Sequence, residues 1–191
     1  MIDIRLTMEE KQHALAKLRS IKEQFAARHW FPGTSGNLSV RTGNIEEGPF
    51  QFAITASGKD KSVHTPEDFL FVDEDGQPCE ATRLQPSAET LIHSEIYRLT
   101  GAGAIFHIHT VFNNIVSEIY GDEGYIPVQG VELIKALDIW EENGRIDIPV
   151  VPNYAHIPSI VPCITAKLNP DIPGIVLRNH IFPEAAAEVL L

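Results

Sequence analysis

The stretch Ala102-Gly103-Ala104-Ile105-Phe106-His107-Ile108-His109-Thr110 decides how the rest of the chain is read. Small and apolar residues lead into two histidines with one residue between them, the pattern of a buried strand that ends in imidazoles. Side chains two apart in a strand share a face, so His107 and His109 are expected side by side. Zinc and similar divalent metals take imidazole nitrogen as a preferred donor. Unrelated histidines in a sheet give the same spacing, so the metal reading needs the remaining parts of a site elsewhere in the chain.

One such part is Gly174-Ile175-Val176-Leu177-Arg178-Asn179-His180, which repeats the character of the first stretch and ends in a further imidazole. Only the fold could bring His180 to the other two. Two loops rich in small residues supply another part. The first, Gly33-Thr34-Ser35-Gly36-Asn37, precedes a strand. The second, Thr55-Ala56-Ser57-Gly58-Lys59-Asp60-Lys61, follows the alternating strand Phe50, Phe52, Ile54 and carries two lysines. Small residues let backbone N–H groups approach an anion closely, and lysine is a compact phosphate-binding cation. Each loop alone reads equally well as a surface turn. Together, at two strand ends, they suggest a shared phosphate pocket.

Helices are expected between these pieces. Thr7-Met8-Glu9-Glu10 has the form of a capping box, and Leu15, Leu18, Ile21 and Phe25 recur at helical spacing to about Arg28. Ser87 reads as the N-cap of a second helix with Ile92, Ile96 and Leu99 on its buried face, and Glu89 in its first turn. There the helix dipole alone would favour Glu89. His93, one turn on, reads as structural. A helix over 111–121 follows, then one over 130–140 with Glu132 in its first turn and Leu133, Leu137 and Trp140 on one face. A helix over 160–168 and a last one from Pro183 complete the set.

At 191 residues the chain is expected to form a single domain over 1–191. Hydrophobic content of 43% and charged content of 21% are those of a soluble globular protein. The net charge of -11 argues against nucleic acid or an anionic membrane as the main partner, and leaves room for a phosphorylated small molecule in a local pocket. The amino-terminal residues lack the apolar core of a signal peptide, and no apolar run is long enough to span a bilayer. Cys79 and Cys163 show no metal or redox spacing and read as packing residues of a reduced, cytoplasmic protein.

The blocks Thr34-Ser35-Gly36-Asn37-Leu38-Ser39, Thr55-Ala56-Ser57-Gly58, Pro86-Ser87-Ala88-Glu89, His107-Ile108-His109 and Asn179-His180, in this order, resemble the class II aldolase/adducin family of zinc-dependent sugar-phosphate enzymes. Within it the likeness is greatest to enzymes that dehydrate 5-methylthioribulose 1-phosphate in methionine salvage. It is carried by Ser57-Gly58-Lys59-Asp60-Lys61, Pro86-Ser87-Ala88-Glu89-Thr90, Glu132-Leu133-Ile134-Lys135-Ala136-Leu137 and Trp140-Glu141-Glu142-Asn143. The resemblance implies an α/β fold, a central and mainly antiparallel sheet with helices on both faces (three layers, α/β/α), assembled as a homotetramer.

It also implies one Zn2+ per subunit on His107, His109 and His180, with an open coordination position. Phosphate would be held by Asn37, Ser57, Gly58 and Ser87, to which Lys59 is added here. Glu132 matches the dehydratase acid/base carboxylate, and Glu89 lies at the substrate in an auxiliary role. The family has glycine after Asn-His, then a strand and a long helix, whereas Ile181-Phe182-Pro183 follows here. A branched side chain does not readily take the positive φ that glycine allows, so altered geometry at the third ligand and altered subunit contacts of the tail are expected. The alternatives are an aldolase that cleaves a ketose 1-phosphate at the same metal and an inactive adducin-like interaction module.

Overall fold

The computed structural model describes residues 6–43, 48–169, 171–172 and 174–180, and the chain divides into two units, Met1–Thr110 and Val111–Leu191. The expected last helix from Pro183 and the Ile181-Phe182-Pro183 departure lie outside the described residues.

In the first unit the capping box at Thr7 is present in full: Glu10 N–H donates to the Thr7 hydroxyl, and the Glu10 carboxylate accepts from Thr7 N–H at 2.8 Å. It opens α1 (Met8–Ala26), which ends slightly short of the expected Arg28. The sheet contains β1 (Asn37–Thr42), β2 (Gln51–Thr55), β3 (Phe69–Asp73) and β4 (Ala104–His107), in the order β3-β2-β1-β4 with every pair antiparallel. On the remaining helix, α2 (Thr90–Thr100), Tyr97 is fully buried.

Period-two alternation divides the sheet between two cores. Leu38, Ala53 and Phe69 point to one face and pack with Leu18 of α1; Phe52, Ile54, Leu70 and Val72 point to the other and pack with Tyr97 of α2. This is the expected three-layer arrangement, complete within one unit. Both faces are covered, which is why β2 is buried at successive positions rather than alternate ones. Each such aliphatic or aromatic side chain, once buried, contributes about 1.5–3 kcal/mol before the cost of ordering it.

The α2 reading needs correction at two points. The helix starts at Thr90, not beside Ser87, and Glu89 occupies the N-cap without capping it. Ser87 holds the approach instead: its hydroxyl accepts from Glu89 N–H and its carbonyl from Thr90 N–H. The buried face is also different, because Leu99 is 42% exposed and the inward positions are Thr90, His93, Ser94 and Tyr97, beside Ile92. Polar partners in the sheet, not apolar spacing, set this helix's rotation. β4 is an edge strand, half exposed rather than buried, and it stops at His107, two residues before His109.

The second unit contains α3 (Val111–Ile119), β5 (Tyr125–Gln129), β6 (Arg145–Val151), α4 (Ile157–Lys167) and β7 (Val176–Leu177). β5 pairs antiparallel with β6, and β6 parallel with β7. Ile160 and Ile164 of α4 are fully or almost fully buried, as are Val150 and Val151 of β6. α4 begins earlier than expected, with Pro158 in its first turn, so Pro162 falls inside it. The expected buried strand up to His180 is only two residues long and half buried.

The helix expected over 130–140 is a single 3-10 segment, Glu132–Leu137, ended by Asp138 in the left-handed region at φ 61°. Only Ile134 is buried there; Leu133 and Trp140 are 78% and 66% exposed. Residues three apart eclipse one another in this tighter helix, so the apolar stripe of an α-helix does not form. Both cysteines are free, and Cys79 is exposed rather than packed. Among the described residues no helix is long and apolar enough to cross a membrane.

Candidate metal centre and anion cradle

At the end of β4 the chain turns so that the His107 and His109 rings stack, with centroids 4.8 Å apart and planes at 29°. The turn is held by His109 N–H, which donates to the Trp30 carbonyl at 3.0 Å. The first loop closes on the same place. Gly36 sits at φ 71°, and a Cβ there would come within 2.8 Å of the His107 carbonyl oxygen, so only glycine permits this approach.

Register places Asn37 opposite His107, on the face that α2 covers. There the Glu89 carboxylate meets both: Oε2 lies 2.7 Å from His107 Nδ1 and accepts from Asn37 Nδ2 at 2.5 Å. A carboxylate can only accept, so His107 carries its proton on Nδ1 and presents the Nε2 lone pair outward. This is how a metal-bound histidine is ordinarily oriented. The dipole explanation of Glu89 is therefore insufficient, because its carboxylate turns away from the helix and into the histidine site.

In the second unit, β7 runs into Asn179, left-handed at φ 52°, which α3 pins through Ser117 and Glu118. His180 Nδ1 lies 3.0 Å from Asn153 Oδ1, an acceptor, so this ring too is protonated on Nδ1 and carries its lone pair on Nε2. The donor chemistry of all three histidines fits a borderline metal that prefers nitrogen.

The expected phosphate residues collect at one end of the four-stranded sheet. Residues 85–87 are strapped to the end of β2: Ser57 N–H donates to Gln85 O at 2.8 Å and Ser87 N–H to Thr55 O at 3.2 Å. Leu38 N–H, beside Asn37, donates to the Thr55 hydroxyl. Ser57 and Gly58 lie exposed, Ser87 half buried and Asn37 buried. The Asn37 amide nitrogen meets Glu89 and lies 3.4 Å from His107 Nδ1, and its oxygen meets His93.

Lys59 is engaged by Glu67 at 2.8 Å. The cation that joins the loops is Lys61, which sequence reasoning did not single out. It is 3% exposed and donates to the carbonyls of Thr34 at 2.6 Å and Lys59 at 3.4 Å. Burial pushes its pKa down to about 8, helped by the charge of Lys22, while Asp60, Glu89 and Asp68 oppose the shift. Its only signal in the sequence was its place as the second lysine of a loop already read as anion-binding.

Glu132 lies in the second unit, its side chain 85% exposed and paired with Lys135 at 2.8 Å. Lys22 was also unforeseen. It is buried on α1 and forms a 2.5 Å ion pair with Asp68, fixing the segment that follows the second loop. Burial alone would raise the Asp68 carboxyl, but hydrogen bonds from Lys22 and Thr65 outweigh it and hold the pKa below the usual range.

The sequence model of the Class II Aldolase and Adducin N-terminal domain matches residues 16–181. Among curated relatives, a methylthioribulose-1-phosphate dehydratase of Persephonella marina is 48% identical over 92% of this chain and 80% of its own length. One from a Geobacillus species is 51% identical over 86% and 76%, and one from Bacillus subtilis is 45% identical over 91% and 82%. Among solved structures, an L-fuculose-1-phosphate aldolase from Thermus thermophilus superposes with a TM-score of 0.63 at 27% identity, over 89% of this chain and 77% of that one. An aldolase II superfamily protein from Pseudomonas syringae has a TM-score of 0.63 at 20% identity over 92% and 66%, a likeness of fold alone.

Proposed function

The chain belongs to the class II aldolase and adducin family, and on that premise we propose that it is a zinc-dependent hydro-lyase. It converts 5-methylthioribulose 1-phosphate to 2,3-diketo-5-methylthiopentyl 1-phosphate and water, a step of methionine salvage in the cytoplasm. The observation that carries this reading is the convergence, at one end of one sheet, of the stacked His107–His109 pair, the Glu89 carboxylate and the small-residue loops. The dehydratases that align with most of the chain at 45–51% identity support the choice of reaction.

His107, His109 and His180 are the proposed ligands, one ion per subunit. Zinc bound there supplies Lewis-acid polarisation of the substrate's C2 carbonyl. The chain's own groups do the rest. Asn37, Ser57, Gly58 and Ser87 hold the phosphate, with Lys61 as the ammonium inside the cradle and Lys59 at its rim. Fixing the phosphate also orients C3 and C4 for proton transfer. Glu132 takes the C3 proton as general base and acts as acid toward the C4 hydroxyl. The C4–O bond breaks, water leaves, and the resulting enol tautomerises to the diketone. Glu89 contacts the substrate and holds His107 in its Nδ1–H form.

The active form is a homotetramer. Support for assembly comes from α3, where Phe112, Ile115 and Ile119 form a stripe that is 79%, 50% and 65% exposed on the single chain.

The deciding assay supplies the methylthio-ketose phosphate to purified protein with and without a chelator. A diketone product that disappears on chelation and returns with zinc is expected. Two shorter carbon fragments would instead assign an aldolase. A protein that holds no zinc and leaves the substrate unchanged would be an interaction module.

A further inference from the structure

Behind Glu89 and Asn37 the first unit contains a buried line of polar side chains that the proposed reaction does not use. Tyr97 Oη lies 2.6 Å from Ser39 Oγ, and Ser39 Oγ 2.6 Å from His93 Nδ1. His93 Nε2 meets Asn37 Oδ1, and Asn37 Nδ2 meets Glu89. Tyr97, Ser39 and His93 are each at most 1% exposed, and Asn37 is 2% exposed.

The polarity of this line follows from its end. Glu89 accepts only, so the Asn37 atom facing it is the amide nitrogen, and the amide oxygen therefore faces His93. An amide oxygen accepts only, so His93 Nε2 carries the proton. In a neutral ring Nδ1 then accepts from the Ser39 hydroxyl, and Ser39 Oγ in turn accepts from Tyr97. Burial, with a smaller contribution from His107 and against the opposing charge of Glu89, pushes the His93 pKa down to about 3, so the ring is neutral near pH 7. Reversing one member would set two donors or two acceptors against each other in a dry core, which is costly.

We propose that His93 is a positioning residue: its Nε2–H fixes the Asn37 amide, so that Asn37 delivers an N–H to Glu89 and Glu89 in turn holds His107 with Nε2 toward the metal. The inference rests on the proposed site for its functional consequence, but its hydrogen-bond polarity does not depend on which reaction is run. It also explains why α2 turns His93, Ser94 and Tyr97 inward instead of Leu99. An apolar residue at position 93 would fill the core equally well and leave the Asn37 amide free to flip.

The test uses the full chain in four forms: wild type, His93→Gln, His93→Phe and the core control Phe52→Leu. Glutamine retains an N–H where His93 Nε2 stands; phenylalanine retains only the ring shape. Nitrogen-15 spectra of metal-free wild type are expected to show His93 as the neutral Nε2–H tautomer from about pH 5 to about pH 8. An Nδ1–H tautomer or an imidazolium would overturn the proposal whatever the activity.

Zinc titration and turnover then read the consequence. His93→Phe is expected to weaken zinc binding or lower kcat by about 10–100-fold with KM little changed, the usual size of such supporting contacts. His93→Gln should restore most of it, and Phe52→Leu should lose thermal stability without losing kcat. Equal zinc affinity and kcat in His93→Phe and wild type, or losses in all variants that simply track stability, would overturn it. Should His93→Phe fail to fold, His93→Gln and the wild-type spectra still decide. A wild type that fails to dehydrate the substrate while showing the Nε2–H tautomer would reject the proposed reaction and not the positioning role.

Discussion

His107 and His109 were legible as a pair from their spacing, and their rings do stack, but β4 ends at His107 and a turn held by Trp30, not strand periodicity, brings His109 to it. Glu89 was not legible in the same way: a carboxylate at a helix start has a sufficient explanation in the dipole, and only its contacts with His107 and Asn37 show a different use. Glu132 carries the sharpest prediction at this scale. Glu132→Gln should lower kcat by roughly 10²–10⁴-fold with zinc stoichiometry unchanged; normal turnover with retained zinc would reject its role.

Lys61 supplies a pH signature. It is charged below about 8 and neutral above, so KM should rise as pH passes 8, and Lys61→Met should show a high, pH-independent KM. Stability runs the opposite way. The unfolded chain keeps the proton up to the ordinary lysine pKa while the folded chain has lost it, so stability rises with pH between about 8 and 10.5. Denaturant titrations over that window should show the rise in wild type and its absence in Lys61→Met.

At the scale of elements, the two loops were readable as small-residue turns suited to a shared phosphate pocket, but the contacts that join them were not readable. What joins them is Lys61 on the Thr34 carbonyl and Leu38 N–H on the Thr55 hydroxyl, both of which are long-range. Gly36 is where the first loop meets the histidine strand. Gly36→Ala would force a methyl against the His107 carbonyl at positive φ. It should cost about 1–3 kcal/mol in chemical denaturation and weaken zinc binding as β4 shifts; unchanged stability and zinc affinity would mean the close approach is not required. The α2 reading failed for a related reason. Apolar spacing pointed to Leu99, but hydrogen bonds to Ser39 and Asn37 fix the helix with His93 and Tyr97 inward. Buried polar partners outrank apolar area here, because leaving them unmade costs more than exposing one leucine.

For the whole molecule, the exposed apolar residues of α3 are where the proposed assembly is tested. Phe112→Asp should shift the sedimenting species toward monomer and reduce activity with it; an unchanged tetramer would show that α3 is not the contact. Chelation should abolish turnover, and zinc restore it, without loss of the four-stranded sheet, whose two cores are built from Phe52, Ile54, Leu38 and Leu18 and need no metal. Sequence by itself determined the α/β class, the capping box, the β2 strand, the histidine pair and the order of the loops. These are local matters of spacing and turn chemistry, in which neighbours in the chain are neighbours in space. Tertiary structure alone decided which lysine enters the cradle, which face of α2 is buried and what Glu89 and His93 touch. Those contacts join residues dozens of positions apart, and a hydrogen bond's direction exists only once both partners are in place.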